Sequence, residues 1–266
     1  MDPRGRHIVI TGASSGIGLA TALALAKRGA RLTLAARRAP ELDAAVRACR
    51  DAGAECGSVV TDVSVREQCF RLATVATEER GAIDVLINNA GFAIFDPIAE
   101  TEPAALESMM RTNYFGTVWC TQAVLPEMLR RRGGAVINVG SIAGLMGYAR
   151  MGGYCATKFA VTGFTEALRS EVQDQGIAVS LICPGTTDTD FFVTAEKGKM
   201  PGASRLILAI PPERVVAVIV KAVESGRARI IVPAGAAAFI RFKEIAPGPA
   251  QFAMRRVSQW LERKRR

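Results

Sequence analysis

The 266 residues predict an α/β fold, a doubly wound seven-stranded parallel sheet with helices on both faces. Three observations predict it. Short β-branched or apolar runs alternate with helical segments along the chain. The runs are apolar at successive positions, not at alternate ones, which is the pattern of strands buried on both faces. The first run ends in a glycine-rich turn that opens a helix. Repeated β-α units of this kind wind a parallel sheet through right-handed crossovers.

The first strand is HIVIT, residues 7–11. Residues 15–28 follow as a helix, with Ile17, Ala20, Leu23 and Ala24 on one face. RLTLAA (31–36) is the second strand, 41–52 a helix and CGSVVT (56–61) the third strand. Ser64 opens the next helix. Its spacing to Glu67 is that of a capping box, in which each side chain bonds the other residue's backbone N–H. IDVLINN (83–89) is the fourth strand, and a long helical region runs from about 103 to 131. GAVINVGS (134–141) is the fifth strand, 153–175 a helix and IAVSLICPG (177–185) the sixth strand. A helix at 212–225 leads to the seventh strand, ARIIVP (228–233). No linker and no solenoid-length repeat breaks the series, so one domain over 1–266 is the economical organisation.

Composition narrows the chemistry. A hydrophobic share of 49% in a chain of this length fills a full core. The lone histidine, His7, argues against a His-rich zinc site or a Ser-His-Asp triad, and no metal site is expected. Cys49, Cys56, Cys69, Cys120, Cys155 and Cys183 form no CxxC pair and read as reduced, buried thiols of a cytoplasmic protein. No secretory leader is legible, and the apolar stretch 230–240 is shorter than the ~20 residues that span a bilayer. The net charge of +9 fits nucleic acid, an anionic membrane or an anionic cofactor. No nucleic-acid motif is present, so nucleic acid is not an expected partner.

The turn TGASSGIG, Thr11 to Gly18, carries Gly12, Gly16 and Gly18. Gly12 suits the tight turn, Gly16 a close approach of backbone to a pyrophosphate, and Gly18 close packing of the helix on the sheet. The helix start then offers free N–H groups and a positive dipole end. A glycine turn in this context predicts a Rossmann-type dinucleotide site.

Other signals follow in order: Asp62 after the third strand, NNAG at 88–91, Asn113 in NYFG, Ser141 in VGSIAG, YCATK at 154–158 and PGTTDT at 184–189. On these residues the chain resembles the short-chain dehydrogenase/reductase family, in its compact single-domain form, over about residues 6–232. The resemblance implies a catalytic set of Asn113, Ser141, Tyr154 and Lys158. It also implies a cofactor cradle of Gly12, Ser14, Ser15, Gly16, Ile17, Gly18, Arg37, Arg38, Asp62, Val63, Asn89, Ala90, Gly91, Tyr154, Lys158, Pro184, Gly185, Thr187 and Thr189. Within it, Asp62 would meet the adenine amino group or serve as a plain helix-entry residue. Asn113 would hold a water that links Lys158 to solvent. Thr187 stands where a small apolar residue is more usual, which leaves its side chain without an assigned role.

Residue chemistry supports the same reading. Tyr154 and Lys158 are four apart, one turn above each other on a helix. A free tyrosine titrates near ~10, and an ammonium one turn away is expected to lower that value. Ser141 ends a strand at the carboxyl edge of the sheet, where its hydroxyl can bond a substrate oxygen that develops negative charge. Arg37 and Arg38 follow the second strand, where NAD-preferring chains of this fold place an acidic residue on the ribose 2′-hydroxyl. Ala36 and Arg37 remove that repulsion and offer a fork of donors to a 2′-phosphate. Ser14 can add a hydroxyl bond, and Arg38 reads as a solvated loop charge.

The expectation is an NADP(H)-dependent oxidoreductase, with NAD(H) less favoured, that interconverts a ketone or aldehyde with an alcohol. A 3-oxoacyl carrier-protein reductase shares these motifs. A non-catalytic NADP-binding regulator is opposed by the complete catalytic set. Two stretches lean toward a lipophilic substrate of steroid, retinoid or fatty-chain type. One is the lid at about 190–211, with Phe191, Phe192, Met200, Leu206, Ile207 and Leu208. The other holds Ile142, Leu145, Met146, Tyr148 and Met151. The basic C-terminal segment, about 247–266, places Ala253, Val257, Trp260 and Leu261 on one helical face. It is expected to pack on the cleft or a partner subunit, with peripheral membrane contact as the alternative. The resemblance implies a homodimer or homotetramer built on the two long helices.

Overall fold

The computed structural model describes residues 1–187, 209–250, 252, 253, 255 and 256. Seven strands form one sheet: β1 (His7–Thr11), β2 (Arg31–Ala36), β3 (Cys56–Val60), β4 (Val85–Asn88), β5 (Gly134–Val139), β6 (Ile177–Pro184) and β7 (Arg229–Val232). Their spatial order is β3-β2-β1-β4-β5-β6-β7, and every neighbouring pair is parallel.

Successive strand residues feed opposite layers, as apolar runs require. Ile8 and Ile10 of β1 join one core with Leu25 of α1 (Gly16–Ala26), Leu42 of α2 (Ala39–Asp51) and Ile219 of α7 (Pro212–Ser225). Val9 between them joins a second core with Leu72 of α3 (Arg66–Arg80), Val124 of α5 (Gly116–Arg131) and Leu168 of α6 (Gly152–Val172). The described residues also include the helices α4 (Pro103–Met109) and α8 (Ala234–Ile245).

Helix ends follow local chemistry. Proline stands in the first turn of α2, α4 and α7, where its missing N–H removes no helical bond. In α2 this starts the helix at Ala39, ahead of the expected 41. The capping box at Ser64 does not form. The Ser64 hydroxyl donates to Asp62 Oδ1 (2.7 Å), which also accepts from the Ser64 N–H (2.9 Å). Helix α3 therefore starts later, with Val65 as an N-cap that makes no side-chain bond. Asp62 Oδ1 takes the Ser64 N–H that Glu67 would accept in a capping box, and it turns the Ser64 hydroxyl toward itself.

The expected long helical region over about 103–131 is present, but it is not α-helical throughout. Residues Met110–Phe115 form a single π-helical turn between α4 and α5. Such turns redirect side chains and are frequent at functional sites.

His7 sits at the amino end of β1, away from the glycine turn. Its buried ring lies between the Gly81 carbonyl (2.8 Å) and Thr33 Oγ1 (2.9 Å), and burial lowers its pKa. All six cysteines are buried and free. Among the described residues, no helix is long and apolar enough to cross a membrane.

Candidate active site

The carboxyl ends of the strands open on a cavity of about 420 Å³. It lies where the strand order reverses between β1 and β4, the crevice at which this architecture places ligands.

The glycine turn forms one wall. Gly12 has φ +65°, and a Cβ there would stand 2.8 Å from Ala90 Cα. Only glycine supplies that backbone and that approach without strain. Gly18 does not line the cavity. A Cβ on it would meet the Gly12 carbonyl oxygen at 2.2 Å and Asn89 Nδ2 at 2.6 Å. Its role is thus to press α1 against the turn, rather than against the sheet as expected. Ser14, Ser15, Gly16 and Ile17 line the cavity. The N–H groups that open α1 have no carbonyl four residues back within the helix, and its first turn holds no acidic side chain. A Cβ-free cradle at such a helix start fits a diphosphate.

Asn89 braces the turn. Its side chain donates to the carbonyls of Thr11 (3.0 Å) and Gly12 (3.2 Å). Thr11 Oγ1 in turn accepts from the N–H groups of Asn89 and Ala90 (3.0 and 3.1 Å). Asn89, Ala90 and Gly91 also face the cavity. Asp62 and Val63 line its far end. The Asp62 carboxylate keeps Oδ1 on Ser64, so the helix-entry role and the cavity position coexist.

At the end of β2, Ala36, Arg37 and Arg38 line the cavity. Arg38 forms an ion pair with Glu41 at 3.0 Å and reaches Ser15 Oγ at 3.4 Å. Arg37 is exposed and has no ion-pair or hydrogen-bond partner among the described residues. One arginine is engaged by its own helix; the other is uncommitted.

Ser141, Tyr154 and Lys158 converge on the opposite wall. Ser141 follows β5. Its hydroxyl accepts from the Ala143 N–H (3.1 Å) and is hydrogen-bonded to the Tyr154 phenol. Tyr154 and Lys158 stack on one face of α6, and both are buried, at 7% and 4% exposure. Lys158 Nζ donates to the Val139 carbonyl at 3.0 Å and lies 5.8 Å from the Tyr154 ring centroid. Burial dominates both groups. It pushes the Tyr154 phenol up, against a smaller downward effect of Ser141, and brings Lys158 down to about 8. In the protein without cofactor, burial of the phenol works against the lowering expected from the lysine.

Asn113 stands one layer behind. Its carboxamide accepts from the Phe92 N–H (2.9 Å), donates to the Phe92 carbonyl (2.8 Å) and donates to Thr157 Oγ1 (3.0 Å). The Asn113 carbonyl accepts from Thr117 Oγ1 at 2.9 Å. A Cβ on Gly91 would fall 3.0 Å from Asn113 Oδ1 and 3.6 Å from Lys158 Nζ, so the two groups flank one glycine. The π turn explains an asparagine in a helical region.

Pro184, Gly185 and Thr187 close the cavity beside β6. The Thr187 hydroxyl donates to the Gly185 carbonyl (3.1 Å), which gives a role to the side chain left open above. Thr189 lies outside the described residues, as do Phe191, Phe192, Met200, Leu206, Ile207 and Leu208 of the expected lid. Ile142, Tyr148 and Met151 line the cavity, while Leu145 and Met146 do not. Leu145 packs beside Val161 and Leu181, and Met146 is buried.

Sequence reasoning missed Thr61, Phe92, Thr112, Val139, Gly140, Ala143 and Thr186, which also line the cavity. Most are neighbours of motif residues that contribute backbone. Thr112 enters through the π turn, and the asparagine beside it was the only available signal.

These features define an α/β dinucleotide-site protein with a Ser-Tyr-Lys cluster. The family model for short chain dehydrogenases matches residues 6–199. The chain belongs to the short-chain dehydrogenase/reductase family of oxidoreductases. It is 30% identical to human 17-beta-hydroxysteroid dehydrogenase 13 over 256 residues, covering 95% of this chain and 83% of that one. A short-chain dehydrogenase/reductase from Burkholderia phymatum, solved in complex with NAD, superposes with a TM-score of 0.84 at 29% identity, over 92% and 94% of the two chains. A metagenomic short-chain oxidoreductase, solved in complex with NADP, superposes with a TM-score of 0.75 at 29% identity, over 87% and 98%.

Proposed function

We propose that the protein is an NADP(H)-dependent oxidoreductase that interconverts a lipophilic ketone or aldehyde with its alcohol. The observation that carries this reading is the placement of Ser141, Tyr154 and Lys158 on the same cavity as the glycine cradle. A bound nicotinamide supplies hydride exchange with the substrate carbon. The helix start after Gly12 would hold the diphosphate, and no acidic side chain stands in its first turn to oppose it.

Ser141 donates to the substrate oxygen and aligns it with the phenol. Tyr154 delivers its proton to that oxygen during reduction and removes one during oxidation. Burial keeps the phenol protonated, the form that a reductase needs at neutral pH. Lys158 donates to the Val139 carbonyl, and its ammonium would also hold the ribose of a bound cofactor. Asn113 fixes Phe92 and Thr157 and so holds the turn that carries the cavity wall.

Two further points support the finer statement. Arg37 is an uncommitted guanidinium at the ribose end of the cavity, suited to a 2′-phosphate. Ile142, Tyr148, Met151 and Phe92 give the substrate side an apolar lining, and the likeness to a hydroxysteroid dehydrogenase points the same way. A panel of steroid, retinoid and fatty-chain ketones, sugars and 3-oxoacyl thioesters, each offered with NADPH and with NADH, tests the reading. Preference for sugars would contradict the substrate class, and preference for acyl thioesters on an acyl carrier protein would move the assignment to a 3-oxoacyl reductase. We also place the enzyme in the cytoplasm as a homodimer or homotetramer. Phe115 and Phe159, exposed on the π turn and α6, offer apolar contact for a second copy.

A further inference from the structure

Helix α8 buries Ile240 and turns another face outward. Ala234, Ala238, Phe242 and Ile245 recur at helical spacing on that face, and all are exposed. Phe242 is 45% exposed and Ile245 84%. Shortly after the helix, Phe252 is 67% exposed, with the Arg256 guanidinium 6.0 Å from its ring centroid. Single exposed apolar side chains need no explanation, but three large ones in eleven residues are a patch.

The charges around the patch are mostly basic. Residues 234–256 contain Arg241, Lys243, Arg255 and Arg256 against one acid, Glu244. The sequence that follows adds Arg263, Lys264, Arg265 and Arg266 against Glu262. Aromatic and branched side chains ringed by arginines match the boundary of an anionic bilayer, where the rings enter the acyl edge and the guanidiniums meet headgroup phosphates. From this charge complementarity we infer that the outward face of α8, with Phe252, Arg255 and Arg256, forms a peripheral docking surface for anionic lipid membranes.

The surface is coupled to the cavity. Lys243 Nζ donates to the Leu145 carbonyl at 2.9 Å. Leu145 belongs to the loop that contributes Ile142, Tyr148 and Met151 to the cavity lining. Docking α8 on a bilayer therefore brings that loop beside the phase in which a lipophilic substrate dissolves. This consequence rests on the proposed substrate class; the docking itself does not.

The test is flotation of the full chain with vesicles of phosphatidylcholine alone and of phosphatidylcholine with phosphatidylserine, without substrate. Binding to the anionic vesicles that weakens with salt is expected. The double variant Phe242→Ser, Ile245→Ser should bind at least about tenfold more weakly. Arg241→Glu should weaken binding by about fivefold or more. Both variants should keep the wild-type affinity for NADPH, because none of these residues lines the cavity. Failure to bind anionic vesicles, equal binding to neutral ones, or undiminished binding by the double variant overturns the inference. So does a sedimentation experiment in which the double variant dissociates an oligomer while no form binds vesicles, since a second copy then covers the face. Any of these leaves the reading of the active site standing.

Discussion

Lys158 reaches past Tyr154: its ammonium donates to the Val139 carbonyl at 3.0 Å and stands 5.8 Å from the tyrosine ring centroid. The pair is stacked on one face of α6, and burial is the largest influence on the protonation of both groups. An ordinary lysine titrates near 10.5, whereas burial holds Lys158 down to about 8. Below pH 8 folded and unfolded chains both keep the proton, and burial of the ammonium costs stability in full. Between pH 8 and 10.5 the folded chain releases the proton that the unfolded chain retains, so this contribution to stability rises with pH. Without added cofactor, the stability of wild type minus that of Lys158→Met should rise by about 1–2 kcal/mol from pH 7 to pH 9.5. Urea unfolding at the two pH values measures it. A constant or falling difference contradicts burial as the cause.

Arg37→Ala should weaken NADPH by roughly ten- to a hundredfold and leave NADH nearly unchanged, for the loss of a charge-assisted bond of ~1.5–3 kcal/mol. Arg38→Ala should do less, because Arg38 is paired with Glu41. Cofactor titration by fluorescence reads both. Equal loss for the two cofactors would remove the 2′-phosphate from the account.

Two glycines should respond in opposite directions. Gly18→Ala pushes a methyl onto the Gly12 carbonyl and should cost about 1–3 kcal/mol along with most cofactor affinity. Gly163→Ala lies in α6, exposed and with nothing within 4 Å of the added carbon. It should stabilise by roughly 0.5–1 kcal/mol. Thermal melts that shift the same way for both would show that packing at the turn is misread.

Asn113→Ala removes two donors and an acceptor from a buried site. The stranded Phe92 and Thr157 groups should cost about 1–3 kcal/mol of stability. A chemical denaturation midpoint within error of wild type would mean that the carboxamide is not the brace of this wall.

The sheet was legible because it rests on a local signal. Apolar runs such as those at 31–36 and 134–139 are strands wherever burial on both faces is available, and the structure reproduces their bounds within two residues. The turn after β1 was legible because glycine alone satisfies its backbone and its approach to Ala90. What escaped the sequence depended on competition between distant groups. The box at Ser64 failed because Asp62 was a nearer acceptor. Asn113 in the π turn bonds partners 21 and 44 residues away, which no local spacing reveals. The Tyr154–Lys158 spacing was right, whereas the burial that raises the phenol depends on packing around α6 that local spacing does not reveal.

The central claim is that Tyr154 exchanges a proton with a carbonyl oxygen while NADPH is consumed. The direct measurement is alcohol formation from a lipophilic ketone by the purified protein, compared with Tyr154→Phe, alongside NADPH affinity for both. The account predicts NADPH oxidation matched mole for mole by alcohol in the wild type. It predicts loss of turnover in the variant with cofactor affinity within a few-fold. Substantial turnover by Tyr154→Phe would contradict it.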